Sequence, residues 1–303
     1  MRTVVTAGEK GADIDVFACA IAYAELLTLE GKESVAVIPG AFTSSITRSI
    51  LAWDAPYDSM YTPATNDEFV LVDISDPKHF ASFVEHERIC EVYDHRHGHQ
   101  DYWEEKLGED SHLEMVGSCG TLIWEEYKMR NKNAYISSHS AKLLLASVVS
   151  NNLAMKSELT TERDRLAYTE LKAITGLDEE WVSDYYYEQE KMLFSHFTDY
   201  VEADTKLVDT VHGEFVIGQI EVWDNETILS EYSNTLEAVM KQHEPTPWMV
   251  NISIVSGGYN YLFSTHAVAK KIIENSFGVT FTGNVAKTEK LLMRKYLVKV
   301  LQT

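Results

Sequence analysis

Short apolar runs alternate with helical patterns through the first half of this chain, and this alternation constrains the fold more than any other feature. Buried strands are predicted at residues 3–7, 34–38, 68–72, 89–93 and 113–116. Helices are predicted at residues 16–27, 44–53, 122–129 and 141–149. Strands that alternate with helices are typical of a parallel sheet covered on both faces. The predicted fold class is therefore α/β.

The pattern changes after residue 156. A helix is predicted to begin at Thr161, because Asp164 follows that cap residue three positions later. A long helix is predicted at residues 179–197, and further helices are predicted at residues 229–242 and 267–273. Residues 214–222 predict a hairpin or one longer strand, and residues 250–264 predict a hairpin around Gly257-Gly258. We therefore expect two domains, at residues 1–190 and 200–303, with a hinge near residues 190–205.

Four apolar runs in the first half are followed by side chains that can hold a metal ion. These side chains are Glu9, Asp13 and Asp15 after the first run, Asp73 after the second, Asp94 and His95 after the third, and Asn151 after the fourth. The carboxyl ends of parallel strands converge on one crevice, where ligands bind. Carboxylates gathered there repel one another unless a cation or protons compensate. Carboxylates with imidazole suit Mn²⁺ or Mg²⁺.

Each of these residues also has a simpler structural explanation. Asp13 or Asp73 could cap the helix that follows it. His97 and His99 could be exposed loop residues. An acid at the end of run after run is harder to explain by capping alone, so the joint pattern favours a metal site.

Charge and cysteine content limit the partners and the compartment. The net charge of −21 argues against nucleic acid, because contact with a phosphate backbone needs clustered Lys and Arg. Residues 266–303 hold seven basic and two acidic residues, which form either a solvated helix face or a local phosphate-binding patch. Three cysteines cannot form a framework of paired bridges. No segment reads as a signal peptide or a membrane span, so we expect a cytoplasmic protein with no membrane partner.

These motifs together resemble the DHH phosphoesterase superfamily, and within it the type II, manganese-dependent inorganic pyrophosphatases and the exopolyphosphatase/prune group. The family's first four motifs and its Gly-Ser-Cys loop are matched by residues 8–15, 71–73, 94–96, 143–164 and 116–122. Its substrate-lysine segment and C-terminal Ser-Arg-Lys signature are matched by residues 204–221 and 293–295. The resemblance covers nearly the whole chain.

The resemblance implies a DHH domain that carries the metal site and a smaller, DHHA2-like α/β domain, with the active site in the cleft between them. It implies two ions, Mn²⁺ or else Mg²⁺ or Co²⁺, that share Asp73 and activate a water for attack on phosphorus. The implied metal ligands are Glu9, Asp13, Asp15, Asp73, His95 and Asn151. The implied catalytic residues are Asp73, Asp94, His95 and Arg96, and the implied phosphate-binding residues are Lys206, Arg294 and Lys295.

Four positions depart from the pyrophosphatase pattern. Glu9 and Arg96 replace histidines, Asn151 replaces an aspartate, and Met293 replaces a serine. An amide oxygen binds a cation less strongly than a carboxylate does, so Asn151 weakens the implied site.

The resemblance implies a phosphohydrolase acting on pyrophosphate or short polyphosphate, with a small phosphorylated substrate and a chain that could form a homodimer. The alternative, favoured by Asn151 and Glu9, is a degenerate homologue that binds a phosphorylated ligand with little or no turnover. A nuclease of the same superfamily is disfavoured, because the segment around Gly257-Gly258 lacks the histidine of the nuclease motif.

Overall fold

A computed structural model describes residues 1–96 and 98–303, so His97 lies outside the described residues. The chain divides into two compact units. Unit 1 comprises Met1–Met155 with Thr160–Val182, and unit 2 comprises Lys156–Leu159 with Ser183–Thr303. Among the described residues, no helix is long and apolar enough to cross a bilayer.

Unit 1 is built on a five-stranded parallel sheet with strand order β2-β1-β3-β4-β5. Its strands are β1 (Arg2–Thr6), β2 (Glu33–Ala36), β3 (Asp67–Val72), β4 (Ile89–Asp94) and β5 (Ser111–Leu113). Its helices are α1 (Ile14–Leu29), α2 (Arg48–Leu51), α3 (Gln100–Leu107), α4 (Cys119–Met129), α5 (Ser138–Asn151) and α6 (Glu162–Thr175). The predicted α/β class with a parallel sheet is confirmed.

Both faces of this sheet are covered. On one face Phe69, Leu71 and Val92 form a cluster with Trp103 of α3. On the other face Tyr93 packs against Tyr23 of α1, with ring centroids 4.9 Å apart. Neighbouring residues of one strand point to opposite faces, and burial on both faces explains why these strands are continuous apolar runs.

Unit 2 contains a second five-stranded sheet, which is mixed. Helices α7 (Glu179–Ser195, which begins in unit 1) and α8 (Phe197–Ala203) lead into β6 (Thr205–Thr210), β7 (Gly213–Val222), α9 (Ile228–Met240), β8 (Trp248–Ile254), β9 (Tyr259–Phe263), α10 (Ala267–Phe277), β10 (Val285–Lys287) and α11 (Arg294–Leu301). The strand order is β10-β9-β8-β7-β6, and only the β7–β8 pair is parallel.

The second sheet also alternates between two cores. Val216 and Ile220 of β7 face α8 and α9 on one side. Phe215 and Ile217 face α10 and α11 on the other side. The predicted mixed α/β character of the second half is confirmed.

Three predictions about elements are corrected or decided by the structure. The fifth strand lies at Ser111–Leu113, so it begins two residues before the predicted run at residues 113–116 and shares only Leu113 with it, because its pairing with β4 sets the register. The helix predicted at residues 179–197 ends at Ser195, since His196 leaves the helical conformation with φ −141°. Residues 213–222 form one strand rather than a hairpin.

Candidate metal centre

Three buried side chains meet at the carboxyl ends of β1, β3 and β4. They are Asp15, Asp73 and His95, and one ligand atom from each lies within 4.8 Å of the others. Asp15 lies in the first turn of α1, while Asp73 and His95 directly follow β3 and β4. The structure thus brings together three of the predicted ligands, from three separate segments of the chain.

Asp15 is held by donors from two helices. Its Oδ2 accepts from the Cys119 N–H at 3.0 Å, and its Oδ1 accepts from the Gly120 N–H at 2.9 Å. The Ser118 and Ser147 hydroxyls donate to Oδ1 at 3.0 and 2.6 Å. The amino terminus of α4 thus orients the carboxylate and stabilises its charge. Burial and the charge of Asp73 nevertheless raise the pKa of Asp15.

Asp73 has one carboxylate oxygen without a hydrogen-bond partner. Oδ1 is buried, accepts no hydrogen bond, and lies 3.3 Å from His95 Nε2. The other oxygen, Oδ2, accepts from Arg96 Nη2 at 2.8 Å. Burial opposes ionisation, but Arg96 and His95 outweigh it and lower the pKa of Asp73 to about 2. Its φ of 54° is left-handed, a strained backbone conformation for a non-glycine residue, which is frequent at functional sites.

His95 presents Nε2 to both carboxylates. Its Nδ1 lies 3.1 Å from the Val116 carbonyl oxygen, which can only accept, so Nδ1 carries the hydrogen. Nε2 then faces Asp73 Oδ1 at 3.3 Å and Asp15 Oδ2 at 3.8 Å. The lone pair of His95 Nε2 and the two carboxylates repel one another unless a proton or a cation lies between them. The bond at Nδ1 is the arrangement that orients a metal-binding histidine, so these residues fit a divalent ion.

Arg96 and Asp94 complete the surroundings of the cluster. Asp94 accepts from Ser75 Oγ at 2.5 Å and from the His95 N–H at 2.8 Å. Arg96 Nη1 lies 3.2 Å from Asp94 Oδ1 and also donates to the Asp73 carbonyl. Asp94 therefore positions His95 and Arg96 without itself belonging to the cluster of three.

The remaining predicted ligands lie outside that cluster. Asp13 caps α1, since its Oδ1 accepts from the backbone N–H groups of Asp15 and Val16 at 3.0 Å. Burial, then the charges of Asp73 and Asp15, raise the pKa of Asp13 to about 7.

Glu9 and Asn151 are engaged elsewhere. The exposed carboxylate of Glu9 accepts from the Ser82 N–H and hydroxyl at 2.7 and 2.5 Å, and these bonds lower its pKa. Asn151 ends α5, where its Nδ2 donates to the Ser147 carbonyl at 3.4 Å.

In unit 2, the predicted phosphate-binding residues lie on β6 and at the start of α11. Lys206 and Lys295 are exposed. The guanidinium of Arg294 is half-buried and donates to Asp204 Oδ1 at 2.5 Å and to the Asp204 carbonyl at 2.6 Å.

A buried polar network that sequence analysis missed anchors the segment before α11. Asn260 bonds the backbone of Leu292 on both sides: its Oδ1 accepts from the N–H at 2.7 Å and its Nδ2 donates to the carbonyl at 3.0 Å. Asn251 Nδ2 donates to the same carbonyl at 2.7 Å, and Gln219 Oε1 accepts from the Arg294 N–H at 2.8 Å. The polar positions within the apolar strands β8 and β9 were the available signal.

Comparisons with known proteins agree with the resemblance found in the motifs. No family model matches the chain. The manganese-dependent inorganic pyrophosphatase of Methanothrix thermoacetophila is 26% identical over 309 aligned positions, covering 96% of this chain and 94% of that protein. A Bacillus licheniformis protein, also named as a manganese-dependent inorganic pyrophosphatase, is 24% identical, and the alignment covers 97% of this chain and 96% of that protein.

Solved structures show the same fold. A Methanococcus jannaschii structure assigned to the family II inorganic pyrophosphatases superposes with a TM-score of 0.72 at 20% identity, covering 100% of this chain and 98% of that one. An exopolyphosphatase-related protein from Bacteroides fragilis gives a TM-score of 0.53 at 12% identity, covering 99% and 90%. The chain thus resembles proteins named manganese-dependent inorganic pyrophosphatase along almost its whole sequence, and it shares the fold of a structure assigned to the family II inorganic pyrophosphatases.

Proposed function

We propose that this protein is a metal-dependent phosphohydrolase that cleaves phosphoanhydride bonds in inorganic pyrophosphate or short polyphosphate. The observation that carries the proposal is the buried cluster of Asp15, Asp73 and His95, with Asp73 Oδ1 left without a hydrogen-bond partner. A buried, unpaired carboxylate oxygen is costly unless a cation binds it. The similarity to proteins named manganese-dependent inorganic pyrophosphatase supports Mn²⁺ as that cation and pyrophosphate as the substrate.

In this proposal the two carboxylates and the imidazole of the cluster hold the ion. A divalent cation, when bound, lowers the pKa of a water molecule and stabilises negative charge on phosphoryl oxygens. Asp94 positions His95, whose Nδ1 hydrogen bond aims Nε2 at the site. Arg96 has a side chain that is 48% exposed, and we propose that its guanidinium also contacts a substrate phosphate.

In the proposal, the remaining positively charged groups are side chains of unit 2. Lys206, Arg294 and Lys295 bind the phosphate groups, with Lys as a point charge and Arg as a forked donor. The support is their match to the family's substrate-binding segments. The division of roles between residues 1–190 and 200–303, the cytoplasmic location and the homodimer remain predictions.

Replacing the central ligand tests this function. Asp73→Asn keeps the size of the side chain and tolerates the left-handed backbone, but it removes the negative charge. Loss of partners that only orient ligands costs about 10–100-fold in metal affinity or activity, so we expect a direct ligand to cost at least about 100-fold in both. Protein stripped with a chelator is titrated with Mn²⁺, Mg²⁺ or Co²⁺, and phosphate release from pyrophosphate, tripolyphosphate and nucleotides is measured.

Asp76→Asn is the matched control, because Asp76 lies three residues further along, caps a short turn and lies near His79 and His99 rather than near the three residues of the cluster. It should retain metal content and activity. Full metal retention by Asp73→Asn would show that the site is assigned wrongly. Tight binding of pyrophosphate with Mn²⁺, but turnover no faster than that of Asp73→Asn, would favour the degenerate, ligand-binding homologue.

A further inference from the structure

The guanidinium of Arg96 occupies the oxygen of Asp73 that a second metal ion would need. A carboxylate that bridges two ions offers one oxygen to each. Here Oδ1 of Asp73 lies 3.3 Å from His95 Nε2, whereas Oδ2 accepts from Arg96 Nη2 at 2.8 Å. Arg96 is also fixed by Asp94 Oδ1 at 3.2 Å and by the Asp73 carbonyl, so three contacts hold its position.

Other residues that could bind a second ion use part of their polar groups elsewhere. Glu9 Oε1 accepts twice from Ser82, and Asn151 Nδ2 donates to the Ser147 carbonyl of its own helix. Asp13 uses Oδ1 to cap α1. Of the described His, Cys, Asp and Glu side chains, only Asp15, Asp73 and His95 form a group that could hold a metal ion.

Charge balance points the same way. The buried carboxylates of Asp15, Asp73 and Asp94 carry three negative charges when ionised, Asp13 adds a fourth when it is ionised too, and Arg96 contributes one positive charge. One divalent cation therefore brings the set to a net charge of 0 without the Asp13 charge or −1 with it. A second divalent cation would leave an excess of one or two positive charges beside a guanidinium, and like charges at such short range repel strongly in a buried site.

We propose that this site holds a single divalent cation and that the Arg96 guanidinium takes the place of a second one. The inference rests on the proposed function only in requiring that the cluster binds a divalent cation; it does not require turnover. The guanidinium of Arg96 would then supply the positive charge that the second metal ion supplies in a two-ion site. An excess of free metal would therefore not add a second ion next to Asp73.

Counting bound Mn²⁺ tests the proposal on the full-length chain. Chelator-stripped protein is equilibrated with Mn²⁺, bound metal is quantified by elemental analysis after dialysis, and low-temperature electron paramagnetic resonance separates an isolated ion from an exchange-coupled pair. We expect about one Mn²⁺ per chain with the spectrum of an isolated ion. Arg96→His removes the guanidinium and adds an imidazole, and it should bind about two ions with a coupled spectrum.

Arg88→His is the matched control, because it makes the same substitution in an exposed ion pair with Glu85 and should stay at one ion. A wild-type chain that binds two ions of similar affinity, with a coupled spectrum, overturns the proposal, and that measurement does not depend on the folding of any variant. Arg96→His folded but still holding one ion also overturns it. A wild-type chain that binds no Mn²⁺ contradicts the proposed function itself, so the two failures are distinguishable.

Discussion

At the residue scale, two aspartates at opposite ends of β3 show how hydrogen-bond partners distinguish a structural carboxylate from one that can bind a ligand. Asp67 begins the strand and accepts from Arg2 Nη2, the Tyr61 hydroxyl and the Ala64 N–H, each at 2.8 Å. Asp73 follows the strand and keeps one oxygen without a partner. Both have a pKa lowered to about 2, although burial opposes ionisation in each. The satisfied carboxylate stabilises the fold, and the unsatisfied one is available to a ligand.

Asp67→Asn should therefore cost stability in a pH-dependent way. The pKa of Asp67 is about 2 in the folded protein and about 3.9 in an unfolded chain, so its contribution is present above about pH 4 and is lost as pH falls towards 2. This difference corresponds to about 2–3 kcal/mol of unfolding free energy at pH 7. Urea unfolding at several pH values should show the wild type and the variant converging between about pH 4 and pH 2.

Glu85→Gln breaks an exposed pair with Arg88 and should change stability by less than about 1 kcal/mol. A difference between Asp67→Asn and wild type that is the same at every pH would show that the charge of Asp67 is not the cause.

At the element scale, the close approach of α4 and α5 builds the Asp15 environment. A Cβ on Gly120 would lie 2.3 Å from Ser147 Oγ and 3.1 Å from Ser147 Cβ. Gly120 and Ser147 both donate to Asp15 Oδ1. The absence of a side chain at Gly120 therefore lets two helices converge on one ligand.

Gly120→Ala should push α5 away from α4 and disturb Asp15. We expect a loss of about 1–3 kcal/mol in unfolding free energy, typical of overpacking, together with weaker Mn²⁺ binding by calorimetry. In the double variant with Ser147→Ala, the closest clash is removed, so the total loss should be smaller than the sum of the two single losses. Strictly additive losses would contradict contact between these residues as the cause.

At the scale of the whole molecule, the net charge of −21 opposes the compact state. Like charges spread over one folded chain repel one another, and added salt screens them over about 8–10 Å at moderate ionic strength. Local ion pairs, such as Arg163 with Glu125 at 2.5 Å, offset part of this repulsion.

We expect the unfolding free energy to rise by about 1 kcal/mol between about 10 mM and 0.5 M KCl, because the screened repulsion exceeds the screened attraction. Urea titrations at each salt concentration measure this change, and a neutral osmolyte at matched osmolality serves as the control. Stability that falls with salt would mean that the ion pairs dominate.

The sequence alone determined the class of the fold and the kinds of side chain at its strand ends. Apolar runs separated by helical patterns predict a parallel sheet because both signals are local, and the predicted strands match β1 to β4 within one or two residues. The helix that begins after Thr161 was also predicted, because its capping box is formed by Thr161 and Asp164, which are only three positions apart in the sequence. The register of β5 was missed, because it depends on pairing with β4.

Only the tertiary structure decided which predicted ligands meet. Asp15, Asp73 and His95 converge, but Glu9 contacts Ser82, seventy-three positions away. Arg96, which follows β4, contacts Asp73 at the end of the neighbouring strand β3. The N–H and hydroxyl donors to the Asp15 carboxylate lie more than one hundred positions further along the chain. A local pattern specifies which side chains stand near a strand end. Their partners are chosen by side-chain direction and long-range packing, which no local signal encodes.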